Sequence, residues 1–266
     1  MPLPSPSDQS IALVTGASSG IGEQFARQLS QRGHRVAIVA RREARLTELS
    51  QELGGPDRAI PIAADLTVPE DRDRLAARID ELGAQVEVLV NNAGFGIYES
   101  FGEAGREQEV YQVKLLVEAV VDLMARYLPL MKQRGRGAII NMSSTAGLQP
   151  LPYNASYSAA KSYVLTLSEA VHVEAKDSGV TVTAVCPGPV PTGFQDASDA
   201  GYFTERMPKF TFVTPVRVAQ DALEAAEKGR ISVIPGGPHV KLAFAPNRKL
   251  PRALVLPVTK RLMARH

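Results

Sequence analysis

Apolar residues occur along this chain in two kinds of run. Short, largely apolar ones cover residues 11–14, 36–40, 59–63, 86–90, 138–142, 180–185 and 232–234. Between them lie segments whose apolar positions recur every three or four residues: 21–31, 44–53, 70–82, 107–133, 155–178 and 216–228. Short apolar runs of this kind are buried strands, and a three-to-four spacing is one face of a helix. Their regular alternation predicts an α/β protein in which a doubly wound parallel sheet of about seven strands is covered by helices on both faces. One domain over residues 10–236 accommodates all of these elements, with a flexible leader at 1–9 and a C-terminal extension at 237–266.

One stretch interrupts the alternation. Residues 193–214 follow a Pro/Gly cluster and hold Phe194, Tyr202, Phe203, Phe210 and Phe212, five of the fifteen aromatic residues in the chain. Ligands of open α/β sheets bind at the carboxyl ends of the strands, so this segment is either a substrate lid or a loop tucking its rings into the core.

Composition narrows the class. The 266 residues are 44% hydrophobic and 22% charged, with one cysteine, Cys186, so no internal disulfide framework exists. Nothing in the sequence reads as a membrane span or a secretory leader, and a cytoplasmic location is expected. The net charge of +2 conceals an uneven distribution. Residues 1–227 carry 21 Lys/Arg against 28 Asp/Glu, whereas residues 228–266 carry nine Lys/Arg and no acid. An acidic body argues against a nucleic-acid binder. The four histidines are scattered without ligand spacing, and no metal is expected.

Candidate chemistry begins at the first strand-to-helix turn, Thr15-Gly16-Ala17-Ser18-Ser19-Gly20-Ile21-Gly22. Glycines there let the backbone approach a pyrophosphate, and the helix N-terminus supplies N–H donors and a positive dipole. A Rossmann-type dinucleotide site makes a further demand at the end of the second strand. A carboxylate there would bind the ribose hydroxyls of NAD, while an arginine favours the 2′-phosphate of NADP. This chain has Ala40-Arg41-Arg42, so Arg41, with Arg42 as a second candidate and Ser18 assisting, predicts NADP(H). Further on, Tyr157 and Lys161 are four residues apart and share a helix face. An ammonium beside a phenol favours its ionised form, so Lys161 would tune Tyr157 as an acid or base.

Taken together, these motifs resemble the short-chain dehydrogenase/reductase family over residues 10–236. The resemblance rests on the Thr15–Gly22 turn, Asp65 after the third strand, Asn91-Asn92-Ala93-Gly94 after the fourth, Ser144 thirteen residues before Tyr157, the Tyr157/Lys161 pair, and Pro187-Gly188-Pro189-Val190-Pro191-Thr192 after the sixth. It implies a Rossmann fold and interconversion of a ketone with a secondary alcohol. Tyr157 would be the acid/base, Ser144 would orient the carbonyl, and Lys161 would hold the nicotinamide ribose while lowering the Tyr157 pKa. Cofactor contacts are implied for Gly16, Ser18, Ser19, Gly20, Ile21, Gly22, Arg41, Asp65, Leu66, Asn92, Ala93, Gly94, Pro187, Gly188, Val190 and Thr192. The family also implies a homodimer or homotetramer packed through the helices holding residues 110–131 and 155–175.

The chain departs from the family at one position. Many members carry an asparagine in the 107–133 helix that supports a water relay to the active-site lysine; ungapped alignment puts Leu116 there, and a two-residue shift would put Lys114 there instead. That departure motivates an alternative reading as a catalytically weak, cofactor-binding sensor or partner. The Ala-Arg-Arg strand end, Pro150–Pro152 and the long C-terminus resemble reductases of hydrophobic ketones, including acyl, lipid-like and steroid-type substrates. The basic, apolar tail either packs over its own substrate pocket or on a neighbouring subunit, with its cations solvated, or gives a third reading, a module held on a membrane surface.

Overall fold

The computed structural model describes residues 3–191 and 206–264. Seven parallel strands form one sheet: β1 (Ser10–Thr15), β2 (Arg35–Ala40), β3 (Ala59–Ala63), β4 (Gln85–Asn91), β5 (Gly137–Met142), β6 (Val180–Val185) and β7 (Ser232–Val233). Their order is β3-β2-β1-β4-β5-β6-β7. The direction of winding therefore reverses between β1 and β4, which opens a crevice at the carboxyl ends of those two strands.

The strands are continuously apolar because both faces are buried, and their side chains alternate between two cores. Ala12 and Val14 of β1 join a core with Phe25 and Leu29 of α1 (Gly20–Gln31), Leu46 and Leu49 of α2 (Glu43–Glu52), and Val218 and Leu223 of α7 (Pro215–Glu227). Ile11 and Leu13 point to the other face. They meet Leu75 and Ile79 of α3 (Pro69–Glu81), Leu123 and Met131 of α5 (Ala119–Arg134), and Val164 of α6 (Ala155–Glu174).

Three features of the fold go beyond the hydrophobic pattern. The helix expected over 107–133 is divided into α4 (Arg106–Val113), a π-helical turn (Lys114–Glu118) and α5. A π turn inserts one residue's worth of extra backbone, which a hydrophobic period cannot reveal. The leader is docked: Leu3 and Pro4 are buried, and Arg136 donates to the carbonyl of Ser5 at 2.7 Å. The C-terminal extension is folded as α8 (Pro238–Phe244), a short 3-10 turn (Ala245–Arg248) and α9 (Arg252–Met263), which bury Val240, Phe244, Val255 and Met263. Among the described residues no helix is long and apolar enough to cross a membrane.

Candidate active site

The glycine turn is built by close backbone contact. Gly16 has φ +66°, a left-handed conformation that costs glycine nothing. Gly22 lies beneath it, where a Cβ would stand 2.2 Å from the Gly16 carbonyl oxygen. Gly22 thus shapes the turn from behind and, unlike Gly16, Ser18, Ser19, Gly20 and Ile21, does not line the cleft. Thr15 ties the two rims together: its hydroxyl donates to Val90 O at 3.2 Å and accepts from the backbone N–H groups of Asn92 at 2.9 Å and Ala93 at 3.1 Å. Asn92 donates its side-chain amide to Thr15 O at 2.9 Å, so it is a brace for the crevice.

At the N-terminus of α1, Ser19 makes no side-chain capping hydrogen bond. The first N–H groups of the helix consequently face the cleft without a side-chain acceptor, which is the local chemistry of an anion site. Arg42 reaches across, donating to Ser18 Oγ at 2.9 Å and Ser19 Oγ at 2.9 Å. Its neighbour Arg41 turns the other way and donates to the phenolic oxygen of Tyr111 at 2.8 Å. Tyr111 in turn donates to Asp65 Oδ2 at 2.9 Å. Burial pushes the Asp65 carboxyl up, but donors from Thr67 and Tyr111, with the Arg41 charge, outweigh it and hold the carboxyl below its ordinary value. The two arginines of the strand end therefore reach different places, the Ser18–Ser19 turn and the Asp65 rim. Tyr111 was not among the residues expected from sequence, because nothing in a helical pattern distinguishes a tyrosine that bridges to a distant strand end.

Along the cleft, Ser144 follows β5 and caps a 3-10 turn (Thr145–Leu148), accepting from the Ala146 N–H at 3.1 Å. Tyr157 and Lys161 share one face of α6, as their spacing requires, and both are buried. The chain enters this helix through Tyr153 at φ 62°, the sole described non-glycine residue with positive φ. Tyr157 is hydrogen-bonded to Ser144. Lys161 donates from Nζ to Met142 O at 2.6 Å and lies 5.6 Å from the Tyr157 ring centroid. Burial dominates both groups, pushing the Tyr157 phenol up to about 12, with Ser144 opposing, and the Lys161 ammonium down to about 8. The expected lowering of Tyr157 by Lys161 is corrected here: in this geometry desolvation wins, and the phenol is held in its protonated form.

Leu116, in the π turn, is buried with Tyr157, Ala160, Ala146 and Leu151 in a small apolar cluster. Its Cδ2 lies 2.8 Å from where a Cβ on Gly94 would be, so that glycine is needed for Leu116 to pack.

The Gly16–Ile21 turn, Arg41, Arg42, Asp65, Tyr111, Ser144, Tyr157 and Lys161 border a single cavity of about 1090 Å³ that also takes in Leu66, Asn92, Ala93, Gly94, Pro187, Gly188 and Val190. Thr192, and Phe194, Tyr202 and Phe203 of the expected lid, lie outside the described residues. Phe210 does line the cavity. So do Leu250, Leu254, Val258 and Leu262 of the C-terminal extension, in line with the reading of the tail as a cover over the substrate pocket. Among the described residues no group of His, Cys, Asp or Glu could hold a metal ion.

Comparison with known proteins agrees with this geometry. Residues 10–202 match the short chain dehydrogenase family. An uncharacterised oxidoreductase of Staphylococcus epidermidis is 34% identical over 194 residues, covering 73% of this chain and 83% of that protein. A putative ketoacyl reductase of Streptomyces coelicolor is 34% identical over 235 residues, covering 80% of this chain and 88% of that one. Among solved structures, a short-chain dehydrogenase from Sphingobium yanoikuyae in complex with NADPH superposes with a TM-score of 0.76 at 30% identity, covering 85% of this chain and 87% of that one.

Proposed function

The chain belongs to the short-chain dehydrogenase family of oxidoreductases, and from that premise we propose that it is an NADPH-dependent reductase of hydrophobic ketones. The observation that carries this reading is the grouping of Ser144, Tyr157 and Lys161 on the wall of an apolar cavity whose other end is the open N-terminus of α1.

The residues present fit a dinucleotide phosphate. The α1 N–H groups and the Arg42 guanidinium converge on the Ser18–Ser19 turn, an arrangement selective for a dianionic group. The NADPH complex of the Sphingobium relative supports the same choice. Arg41, with Asp65 and Leu66, borders the adenosine end of the cleft. When bound, a nicotinamide supplies hydride to a carbonyl carbon or takes it back from an alcohol.

The protein's own part is proton management and orientation. Ser144 hydrogen-bonds the carbonyl oxygen and fixes it beside Tyr157. Tyr157 gives its phenolic proton to that oxygen as the alcohol forms, and the Lys161 ammonium stabilises the phenolate left behind. Burial keeps Tyr157 protonated at neutral pH, which is the form that reduction requires. Substrate class follows from the lining: Leu151, Met207, Phe210, Leu254 and Val258 offer apolar contact beyond the reacting groups. The ketoacyl relative is consistent with such a substrate. The π turn beside Tyr157 favours a working centre over a merely cofactor-binding one, since π turns inside helices collect at functional sites. Exposed Val110 and Val113 of α4, Leu130 of α5 and Tyr163 and Val173 of α6 support a homo-oligomer packed through those helices.

A screen of aliphatic, acyl and steroid-type ketones with NADPH, read at the nicotinamide absorbance, tests the proposal. Turnover of at least one apolar ketone is expected; NADPH binding without turnover of any of them would favour the sensor reading.

A further inference from the structure

The C-terminal helices bury one face of α9 and leave large aliphatic side chains exposed beside it. Val255, Thr259 and Met263 of α9 point inward at four-residue intervals. Leu254 and Val258, on the adjoining stripe, are 63% and 59% exposed although they also line the cavity, and Leu242 of α8 is 78% exposed. Leu250 and Leu262, which also line the cavity, and Leu256, on the other flank of α9, are each more than a third exposed. Aliphatic groups in such numbers on one short segment mark an interaction surface rather than the scattered exposure that is normal for a soluble domain.

Charge says what kind of surface meets it. No acidic residue follows Glu227. Arg248 is spent on a two-pronged pair with Glu169, at 2.7 Å for each contact. Among the described residues, however, Lys241, Lys249, Lys260 and Arg261 are exposed and have no carboxylate partner. A second copy of this face is a poor occupant, because a two-fold contact would set one acid-free cationic patch against another. A polyanionic surface with an apolar interior satisfies both features: cations lie among headgroups while leucines enter the acyl boundary.

We propose that the α8–α9 face docks on anionic lipid bilayers, with the rim of the cavity at Leu254 and Val258 turned toward the lipid. Docking stands apart from the reductase reading; only the delivery of an apolar substrate from the bilayer rests on it.

Sedimentation of the full-length protein with phosphatidylglycerol vesicles, and with phosphatidylcholine vesicles, tests the docking directly and needs no turnover. At least tenfold tighter binding to the anionic vesicles is expected, weakening as salt is raised. The combined variant Lys241→Glu, Lys260→Glu, Arg261→Glu should lose at least tenfold in binding. Leu242→Ser should lose severalfold, and neither variant alters a cavity-lining residue. Thermal unfolding of both, with and without NADPH, reports that the fold is kept. Equal binding to the two lipids, absence of binding, or binding unchanged in the variants would overturn the proposal. So would light scattering that shows the charge variant falling apart into monomers with lipid binding absent throughout, since the face would then join copies of the chain.

Discussion

The Lys161 ammonium donates to the carbonyl oxygen of Met142 at 2.6 Å, so a backbone group from the end of β5 fixes where the cation sits in the cleft. A carbonyl orients a lysine without offering it a counter-charge, and burial accordingly lowers Lys161 to about 8 from an ordinary 10.5. Between those values the unfolded chain binds the extra proton, so the site's contribution to stability is least below pH 8 and rises with pH through the window from 8 to 10.5. Lys161→Met removes this slope. Melting temperatures of the two proteins measured from pH 7 to 10 should diverge in favour of wild type above pH 8; a constant gap would show that Lys161 does not titrate there.

Tyr157→Phe removes the proton donor while keeping the ring in its apolar cluster. Turnover with a competent ketone should drop by about a hundredfold or more, the usual scale for losing a positioned acid. Protection against thermal unfolding by NADPH should be unchanged. A variant that retains more than a tenth of the activity would remove Tyr157 from the reaction.

Reaction direction should respond to pH in opposite senses. Reduction uses the phenol, which burial preserves to about 12, whereas alcohol oxidation needs the phenolate. Initial rates should therefore be nearly level for reduction from pH 6 to about 7.5, where Lys161 keeps its charge, and climb for oxidation over the same range. Oxidation that is flat with pH would mean that another group accepts the proton.

Arg42 and Arg41 separate by function. Arg42→Ala should weaken NADPH by about tenfold or more while leaving NADH within a factor of about two, since one charge-assisted contact to a phosphate is worth roughly 1.5–3 kcal/mol. Arg41→Ala should have the smaller effect, because Arg41 is engaged with Tyr111. Cofactor titrations followed by thermal protection will rank them, and the reverse order would return the phosphate to Arg41.

Leu116→Asn restores the family's common side chain to the π turn, yet places an amide in an apolar cluster against Gly94 and Tyr157. A destabilisation of about 1–3 kcal/mol is expected from burying that group. Because the π turn exists without asparagine, turnover should change by less than about tenfold. A large gain would reveal a proton relay starved of its usual donor.

Much of this site was readable before any coordinates. Seven apolar runs became seven strands, and the Tyr157/Lys161 spacing delivered both groups to one helix face because a helix has a fixed pitch. What escaped the sequence depends on geometry between distant segments. Arg41 and Arg42 are adjacent and chemically identical, and only the position of Tyr111 on α4 separates them. The direction of the Tyr157 shift depended on how deeply the pair is buried, a quantity that pairwise spacing does not contain. The C-terminal segment was legible as basic and apolar, with packing over the pocket as one of its readings, and tertiary packing decides which of its aliphatic groups face the cavity.

The Thr15 hydroxyl that spans from β1 to Val90, seventy-five residues later, also bears on the order in which a growing chain acquires its parts. A ribosome-bound fragment ending before β4 has no second rim, so its glycine turn faces open solvent with nothing to brace it. The nucleotide cradle can close only after Ala93 has emerged, and the proton donor arrives later still, with α6. The brace of the turn is thus in place before the helix that carries Tyr157 has been made.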